Sequence, residues 1–330
     1  MTMKIKKILS VVLSCALLAT SVLAVSGCQD SVNKAQKKDT YTVGICQLVQ
    51  HPALDAATEG FKQALTEKLG DKVKFDEQNA SGDSATCTTI VNQFVASNVD
   101  LIMANATPAV QAAVSGTVDI PIVGTSVTEY GVALGIDNFS GKTGINVTGT
   151  SDLAPLDKQA AMFTELLPKV KKVGIVYCSN EANSKYQANV VKAELGKLGL
   201  DVTEYTFADS NDVAQVVTKA CEEMEALYIP TDNKCADNAE LINNIAEPAG
   251  IPIIAGEEGI CKGCGIATLS ISYSNLGYNT GLMAYEILVN GKNPAEMEIQ
   301  YDNEPVYEYM ASRCEKLKVA VPDTYTAIAE

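Results

Sequence analysis

Three apolar runs occur twice in this chain, in the same order and at nearly the same distance. "YTVGICQ" is answered by "KVGIVYC", "DLIMANATP" by "EALYIPTDN", and "DIPIVGT" by "GIPIIAG". The offsets are 130, 125 and 131 residues, measured from Val43 to Val173, Asp100 to Glu225 and Ile120 to Ile251. Short apolar runs of this kind read as strands, and "KVKFDEQ" adds another to the first half. Amphipathic stretches at 52–69 and 84–98 separate them and read as helices. Strands alternating with helices make a parallel α/β sheet. Three matched elements at one offset make two similarly built halves, each a doubly wound unit.

Ligands of open parallel sheets bind beyond the carboxyl ends of the strands. Two such units facing each other form a cleft from their strand-end loops, so those loops are where chemistry is expected. After the first strand comes "QLVQHPALD", with Gln47 and the chain's one histidine, His51. Pro52 suits a first helical position, which puts His51 where the helix is capped, close to free N–H groups that favour an anionic ligand group. His51 is therefore either a ligand contact or simply a helix-start residue. In "ANATPAVQ", Thr107 precedes Pro108 at another helix start, and its hydroxyl can cap the helix or meet a carboxylate. The second half offers Asn180, Asn183 and Ser184 in "YCSNEANSKYQ", then Thr231, Asp232 and Asn233 in "YIPTDNKCADNAE", then Glu257 and Glu258 in "IAGEEG". Capping residues are common in any α/β protein. Their coincidence at equivalent ends of both halves is what points to a site.

The first residues belong to a different kind of segment. Lys4, Lys6 and Lys7 precede the uncharged apolar run "ILSVVLSCALLATSVLAV", which reads as an export signal. "VSGC" then places small residues before Cys28 and resembles the lipobox of bacterial lipoproteins, at which the chain is cleaved and the cysteine acylated. An uncleaved anchor is the alternative, since about 18 apolar residues suffice to span a bilayer. Either way the remainder lies outside the cytoplasmic membrane. Residues 1–27 are thus expected to be a leader, and 28–40, polar and without apolar period, a tether. The roughly 290 residues that follow are enough for two domains.

Loss of the three leader lysines takes the formal charge from -15 to -18. Nucleic acid and anionic lipid surfaces are poor partners for such a chain. Of the ten cysteines, Cys15 leaves with the leader and Cys28 takes the lipid. Cys46, Cys87, Cys178 and Cys221 sit inside strand or helix patterns, where a thiol serves as a small apolar filler. "CKGC" at 261–264 lacks a second ligand pair for zinc. It lies in the Gly-rich "GEEGICKGCG", which favours a structural turn or local disulfide over a redox or metal role.

No catalytic set assembles. There is no G-x-S-x-G nucleophile turn, and a lone histidine without clustered Cys or Glu is a weak metal ligand. In "GIDNFSGKTG" five residues separate Gly135 from Gly141, one too many for a phosphate loop. Neither an enzyme, a metal nor a cofactor is expected.

The loops together carry a resemblance. "QLVQHPALD", "NASGD" with Asn79, "ATPAVQ", "NVTGTSD", "NEANS", "YIPTDN" and "AGEEG" resemble the substrate-binding lipoproteins of ABC transporters in the tryptophan/tyrosine-type family, over residues 41 to about 300. The resemblance implies a type I periplasmic-binding-protein fold: two α/β lobes joined by a three-crossover hinge, closing over one small ligand. Crossovers are expected at "NVTGT", "SISYS" and "YDNEPV", with the helix at 274–290 returning to the first lobe. The first lobe would be 41–148 plus 272–300 and the second 149–271 plus 301–330.

A small metabolite is implied as ligand, an aromatic or other amino acid, with an ABC permease as membrane partner and a monomeric, lipid-anchored receptor on the extracytoplasmic face. Thr107 and Ser126 would then meet a carboxylate, with Asn183 and Ser184 donating from the opposite lobe. Asp232 would receive an ammonium group, and Gln47 and His51 would line the wall near the ligand's side chain. The chain departs from the family where Asp-Pro is common, having "TSVTEYG" instead. There Tyr130 either stacks on an aromatic ligand or fills its space. An exported sensor of the same fold, or a non-amino-acid ligand, is the alternative. The sugar-binding core of a transcription repressor shares the architecture, but the export signal argues against it.

Overall fold

The computed structural model describes residues 38–302 and 304–329. The expected leader, Cys28 and most of the tether lie outside the described residues.

The first half runs β1 (Tyr41–Gln47), α1 (Pro52–Leu69), β2 (Val73–Asn79), α2 (Ser84–Ala96), β3 (Leu101–Asn105), α3 (Thr107–Gly116), β4 (Ile122–Val127), α4 (Tyr130–Leu134) and β5 (Val147–Ser151). The second runs α5 (Leu156–Leu166), β6 (Lys172–Cys178), α6 (Ala182–Lys197), β7 (Asp201–Phe207), α7 (Val213–Glu223), β8 (Ala226–Ile229), α8 (Asn233–Asp237), α9 (Ala239–Ala249), β9 (Ile253–Ala255), α10 (Glu258–Cys264) and β10 (Ala267–Ser270). The first sheet has the order β5-β4-β3-β1-β2 and the second β10-β9-β8-β6-β7, all parallel. Strand for strand the two orders coincide, so the repeat in the sequence is a repeat of doubly wound sheets.

The chain then returns. Helix α11 (Tyr273–Asn290) packs on α1, and β11 (Gln300–Tyr301) extends the first sheet beside β5. The remainder, β12 (Val306–Tyr309), α12 (Ala311–Leu317) and β13 (Thr326–Ala327), adds to the second sheet, β12 running antiparallel to β10. The backbone thus passes between the sheets three times: after β5, after β10 and after β11. This is the type I periplasmic-binding-protein fold.

Parallel strands covered on both faces are apolar throughout, and β3 and β4 are buried at every position. One face of the first sheet packs Val43, Ile45 and Met103 against Phe61 and Leu65 of α1 and Ile287 of α11. The other packs Cys46 and Ile102 against Phe94 of α2 and Val110 of α3. The α1–α11 seam is unusually close. A Cβ on Gly277 would stand 1.9 Å from the Ala57 carbonyl oxygen, and one on Gly60 would stand 2.2 Å from that of Ser274.

All eight cysteines among the described residues are free, and seven are buried. The "GEEGICKGCG" stretch is helix α10, where a turn or local disulfide was expected. The Glu257 carboxylate accepts the N–H groups of Gly259 and Ile260 at one end. At the other, the Arg313 guanidinium donates to the carbonyls of Cys261, Lys262, Gly263 and Gly265. Those caps overcome the poor helix propensity of glycine. Burial pushes the Cys264 thiol up to about 12 and the Cys261 thiol well above its ordinary value, so neither is a reactive thiolate.

Candidate functional site

The strand-end loops of the two sheets meet face to face. Among the described residues three hydrogen bonds cross directly from one lobe to the other: His51 to Asn233 at 3.3 Å, Gln187 to the Thr128 hydroxyl at 3.3 Å, and Lys234 to the Gly82 carbonyl at 3.4 Å. Between them lies a small cavity of about 10 Å³, little more than room for one water. The first lobe lines it with His51 and Leu54 from the start of α1 and with Ser126. The second contributes Asn183, Thr231, Asp232, Asn233, Ala236, Glu257 and Ile260. Asp152 from the first passage and Tyr273 just beyond the second complete the wall.

Each of these side chains is aimed by local structure. His51 is the N-cap residue of α1 but makes no capping bond with its side chain. It spends its ring on the opposite lobe instead. The Asn233 amide nitrogen donates to Glu181 at 2.7 Å, which leaves its Oδ1 as the acceptor for His51 Nε2. Burial holds the imidazole below its usual pKa, so the ring is neutral with its proton on Nε2 and a bare lone pair on Nδ1. Ser126 sits at a break in register between β4 and β5, with φ of 55°. Such a bulge re-aims a side chain that regular pleating would bury in the sheet.

Three carboxylates line the space and a fourth, Glu181, stands behind the wall; among the described residues no Lys or Arg lines it. Three of the four are already occupied. Asp232 accepts the N–H groups of Cys178 at 2.7 Å and Cys235 at 2.8 Å, one on each oxygen. Glu257 caps α10, and Glu181 behind the wall accepts from the backbone of Asn233 and Lys234. Asp152 is the least committed of the four: Oδ2 takes the Tyr273 hydroxyl at 2.9 Å and the Thr128 hydroxyl stands beside the carboxylate, while Oδ1 makes no hydrogen bond of normal geometry. Burial raises its pKa to about 6, against the pull of the Thr128 and Tyr273 hydroxyls. Burial likewise raises Glu257 to about 7, and burial together with the charge of Asp232 raises Glu181 to about 7.

Six buried side-chain polar atoms among the described residues have no partner, and four belong to this cavity's wall: His51 Nδ1, Ser126 Oγ, Asp152 Oδ1 and Asn183 Oδ1. Unpaired buried polar groups cost about 1–3 kcal/mol each. Both lobes contribute to this concentration, as a site completed by a polar ligand requires.

Of the residues singled out in the sequence, His51, Ser126, Asn183, Asp232, Asn233 and Glu257 line the cavity. Ser184 is buried one residue behind, accepting from Asn183 at 3.2 Å. Thr107 is buried as the first residue of α3, whose cap position is held by Ala106. Gln47 turns into the first lobe, donating to Asp55 at 2.6 Å and accepting from Thr58 at 2.6 Å. With Asn79 it borders a separate open groove. Asn180 is exposed and donates to the Ala208 carbonyl at 3.3 Å. Tyr130 is buried in the first lobe, its hydroxyl donating to the Thr150 carbonyl at 3.1 Å. Asp152 and Tyr273, which the sequence reading did not single out, lie within or next to "NVTGTSD" and "SISYS". A lone acid directly after the uncharged strand β5 was the available signal for the first.

The engagement of Asp232 has a direct consequence. Asp232→Ala strands two buried N–H groups and is expected to lower the chain's unfolding free energy by about 2–4 kcal/mol. Denaturant titration of the ligand-free protein checks this, and an unchanged midpoint would mean that those N–H groups find other acceptors.

Residues 42–330 match the family model described as ABC transporter substrate binding protein. The tyrosine-binding protein of Clostridioides difficile (strain R20291) is 37% identical over 305 residues, covering 90% of this chain and 88% of that protein. Among solved structures, the ABC domain from Streptococcus pneumonia in complex with L-Trp matches with a TM-score of 0.82 at 31% identity, covering 86% of this chain and 96% of that one. The ligand-free, open structure of a substrate binding protein with adhesive properties from Clostridium difficile matches with a TM-score of 0.67 at 35% identity, covering 88% and 99%. With fold, cleft and sequence in agreement, this chain belongs to the ABC transporter substrate-binding protein family.

Proposed function

We propose that this protein is the extracytoplasmic solute-binding component of an ABC importer, capturing an amino acid, aromatic by preference, in the cleft between its lobes. The convergence of four unpartnered polar atoms from both sides of one cavity carries this reading. A ligand satisfying them bridges the lobes, and only a bridging ligand shifts a hinge equilibrium toward closure. Two relatives support the ligand class, one named as tyrosine-binding and one holding L-Trp. The chain matches that L-Trp complex better than the open, ligand-free relative, although the open one is closer in sequence. This supports a hinge that moves the lobes as bodies.

In this reading residues 1–27 are removed, Cys28 is lipidated on the outer face of the cell membrane, and 28–40 tether the receptor near its permease. The lobes are taken as 41–151 with 272–301 and 152–271 with 302–330, which moves the expected boundaries at 148/149 and 300/301 to the ends of β5 and β11, and the receptor works as a monomer. His51, Ser126, Asn183, Asp232, Asn233 and Glu257 form the wall, with Gln47, Asn79, Thr107, Asn180 and Ser184 supporting it from further out.

A thermal-shift screen against amino acids, sugars and nucleosides tests the ligand class. Saturation at about 100 times Kd adds roughly 2.7 kcal/mol, which in a chain of this size raises Tm by about 5–10 °C. Tyrosine, phenylalanine or tryptophan should give that shift. A shift given only by a sugar or nucleoside would sink the reading.

A further inference from the structure

We propose that Glu181, which does not line the cavity, is the positioning residue of lobe closure: its carboxylate orients Asn233 and Lys234 so that both reach across the cleft. Glu181 is the N-cap residue of α6, yet its side chain makes no capping bond to that helix. It reaches instead to the start of α8. Oε1 accepts the backbone N–H of Lys234 at 3.1 Å, and Oε2 accepts the backbone N–H of Asn233 at 3.1 Å and its side-chain amide at 2.7 Å. These are the first two residues of α8, where backbone N–H groups have no partner within the helix. Glu181 is 4% exposed, so bulk water does not compete for those donors.

The same two residues make two of the three bonds that join the lobes among the described residues. Asn233 Oδ1 accepts from His51 Nε2, and Lys234 Nζ donates to the Gly82 carbonyl. An amide whose nitrogen is held has only its oxygen left to turn outward, so Glu181 decides which end of Asn233 faces the first lobe. His51 must then present a proton on Nε2. Asn183 also donates to Glu181, at 3.1 Å, but it keeps Ser184 at 3.2 Å and the Thr231 carbonyl at 3.0 Å as further acceptors. Loss of Glu181 therefore leaves Asn183 oriented and sets Asn233 free.

The crossing bonds join protein to protein, so the clasp favours closure whichever ligand the cleft takes. The division of donors between the two oxygens separates two substitutions. Three donors meet at Oε2 and one at Oε1. A glutamine with its oxygen in the Oε2 position keeps Asn233 in place and opposes only the Lys234 N–H. Methionine has nearly the same length but no comparable acceptor, and it releases both residues.

The chain has one histidine, so in full-length protein carrying isotope-labelled histidine, held in detergent without added ligand, every imidazole signal in the NMR spectrum belongs to His51. The wild type should carry its ring proton on Nε2. That proton should exchange with water about 10-fold faster or more in Glu181→Met, while Glu181→Gln stays within about 3-fold of the wild type. Asn233→Ala should match Glu181→Met, and the double variant should exchange no faster than either, because both substitutions remove one and the same bond. A carboxylate with a purely structural role would change Tm without touching the imidazole proton. Equal exchange in the wild type and Glu181→Met, additive effects in the double variant, or a wild-type ring proton on Nδ1 overturns the proposal. Glu181→Ala is read in the same way if methionine does not fit the space, and the wild-type tautomer is a test that needs no substitution.

Discussion

Gly277→Ala is expected to destabilise this protein by about 2–3 kcal/mol, although helix propensity alone favours alanine over glycine by about 1 kcal/mol. The sign follows from the seam between α1 and α11. An added Cβ at 277 meets the Ala57 carbonyl oxygen at 1.9 Å, and the nearest three atoms are all backbone of α1. No rotamer change relieves a contact with backbone, so the helices must separate by more than an ångström. Their separation loosens Phe61, Ala64, Leu276 and Ala284, which are buried where the two helices cover the first sheet and each other. The same seam recurs at Gly60 against Ser274 and at Gly281 against Phe61, so the strain has nowhere to dissipate along α11. Because α11 begins at Tyr273, beside the hinge, the displacement also reaches the cavity wall. A loss of about 4–12 °C in Tm corresponds to this cost. A variant melting at or above the wild type would show that the helices are not seated this closely.

The seam was not legible in the sequence, where "GYNTG" in α11 reads only as weak helix. The repeat was legible because parallel strands need apolar residues on both faces, and that leaves runs such as "GIVY" and "GIPII" without an alternating pattern to confuse them. Strand β7 lacked that signal: it lies at the edge of the second sheet, and "DVTEYTF" alternates polar with apolar residues. Strand β5 is short and rich in Thr, Ser and Gly, so "NVTGT" reads as a connection although it is sheet and the passage follows it, whereas "SISYS" and "YDNEPV" hold the second and third passages as expected.

The site was half legible for a related reason. Residues in loops after repeated strands are placed by the fold's own rule, which brought His51, Ser126, Asn183 and Asp232 to one cavity. Sequence does not distinguish an acid that faces a ligand from one that caps a helix, because both occupy the turn before the first helical residue. Asp232 and Glu257 do both, lining the cavity while their oxygens hold N–H groups. Asp152 and Tyr273 come from the passages between lobes, and their meeting depends on how two distant segments cross. No local spacing encodes that.

The committed acids set an unusual dependence of stability on pH. Glu257 ordinarily titrates near 4.5 and is raised to about 7 by burial, with Glu258 and Asp152 adding like charge and the N–H groups of Gly259 and Ile260 opposing. Glu181 rises to about 7 through burial and then Asp232, opposed by the donors of Asn233 and Asn183. A carboxylate whose folded pKa exceeds its unfolded one binds its proton more tightly in the fold. Its contribution is fully present below about 4.5 and is lost as pH rises through about 7. For Glu257 the shift from 4.5 to about 7 corresponds to roughly 3 kcal/mol as an upper limit. The ligand-free protein should therefore melt several degrees higher at pH 5.5 than at pH 8, as read by calorimetry, and Glu257→Gln should flatten that slope. Equal melting temperatures, or a rise toward pH 8, would mean that these acids are ionised in the fold at no cost.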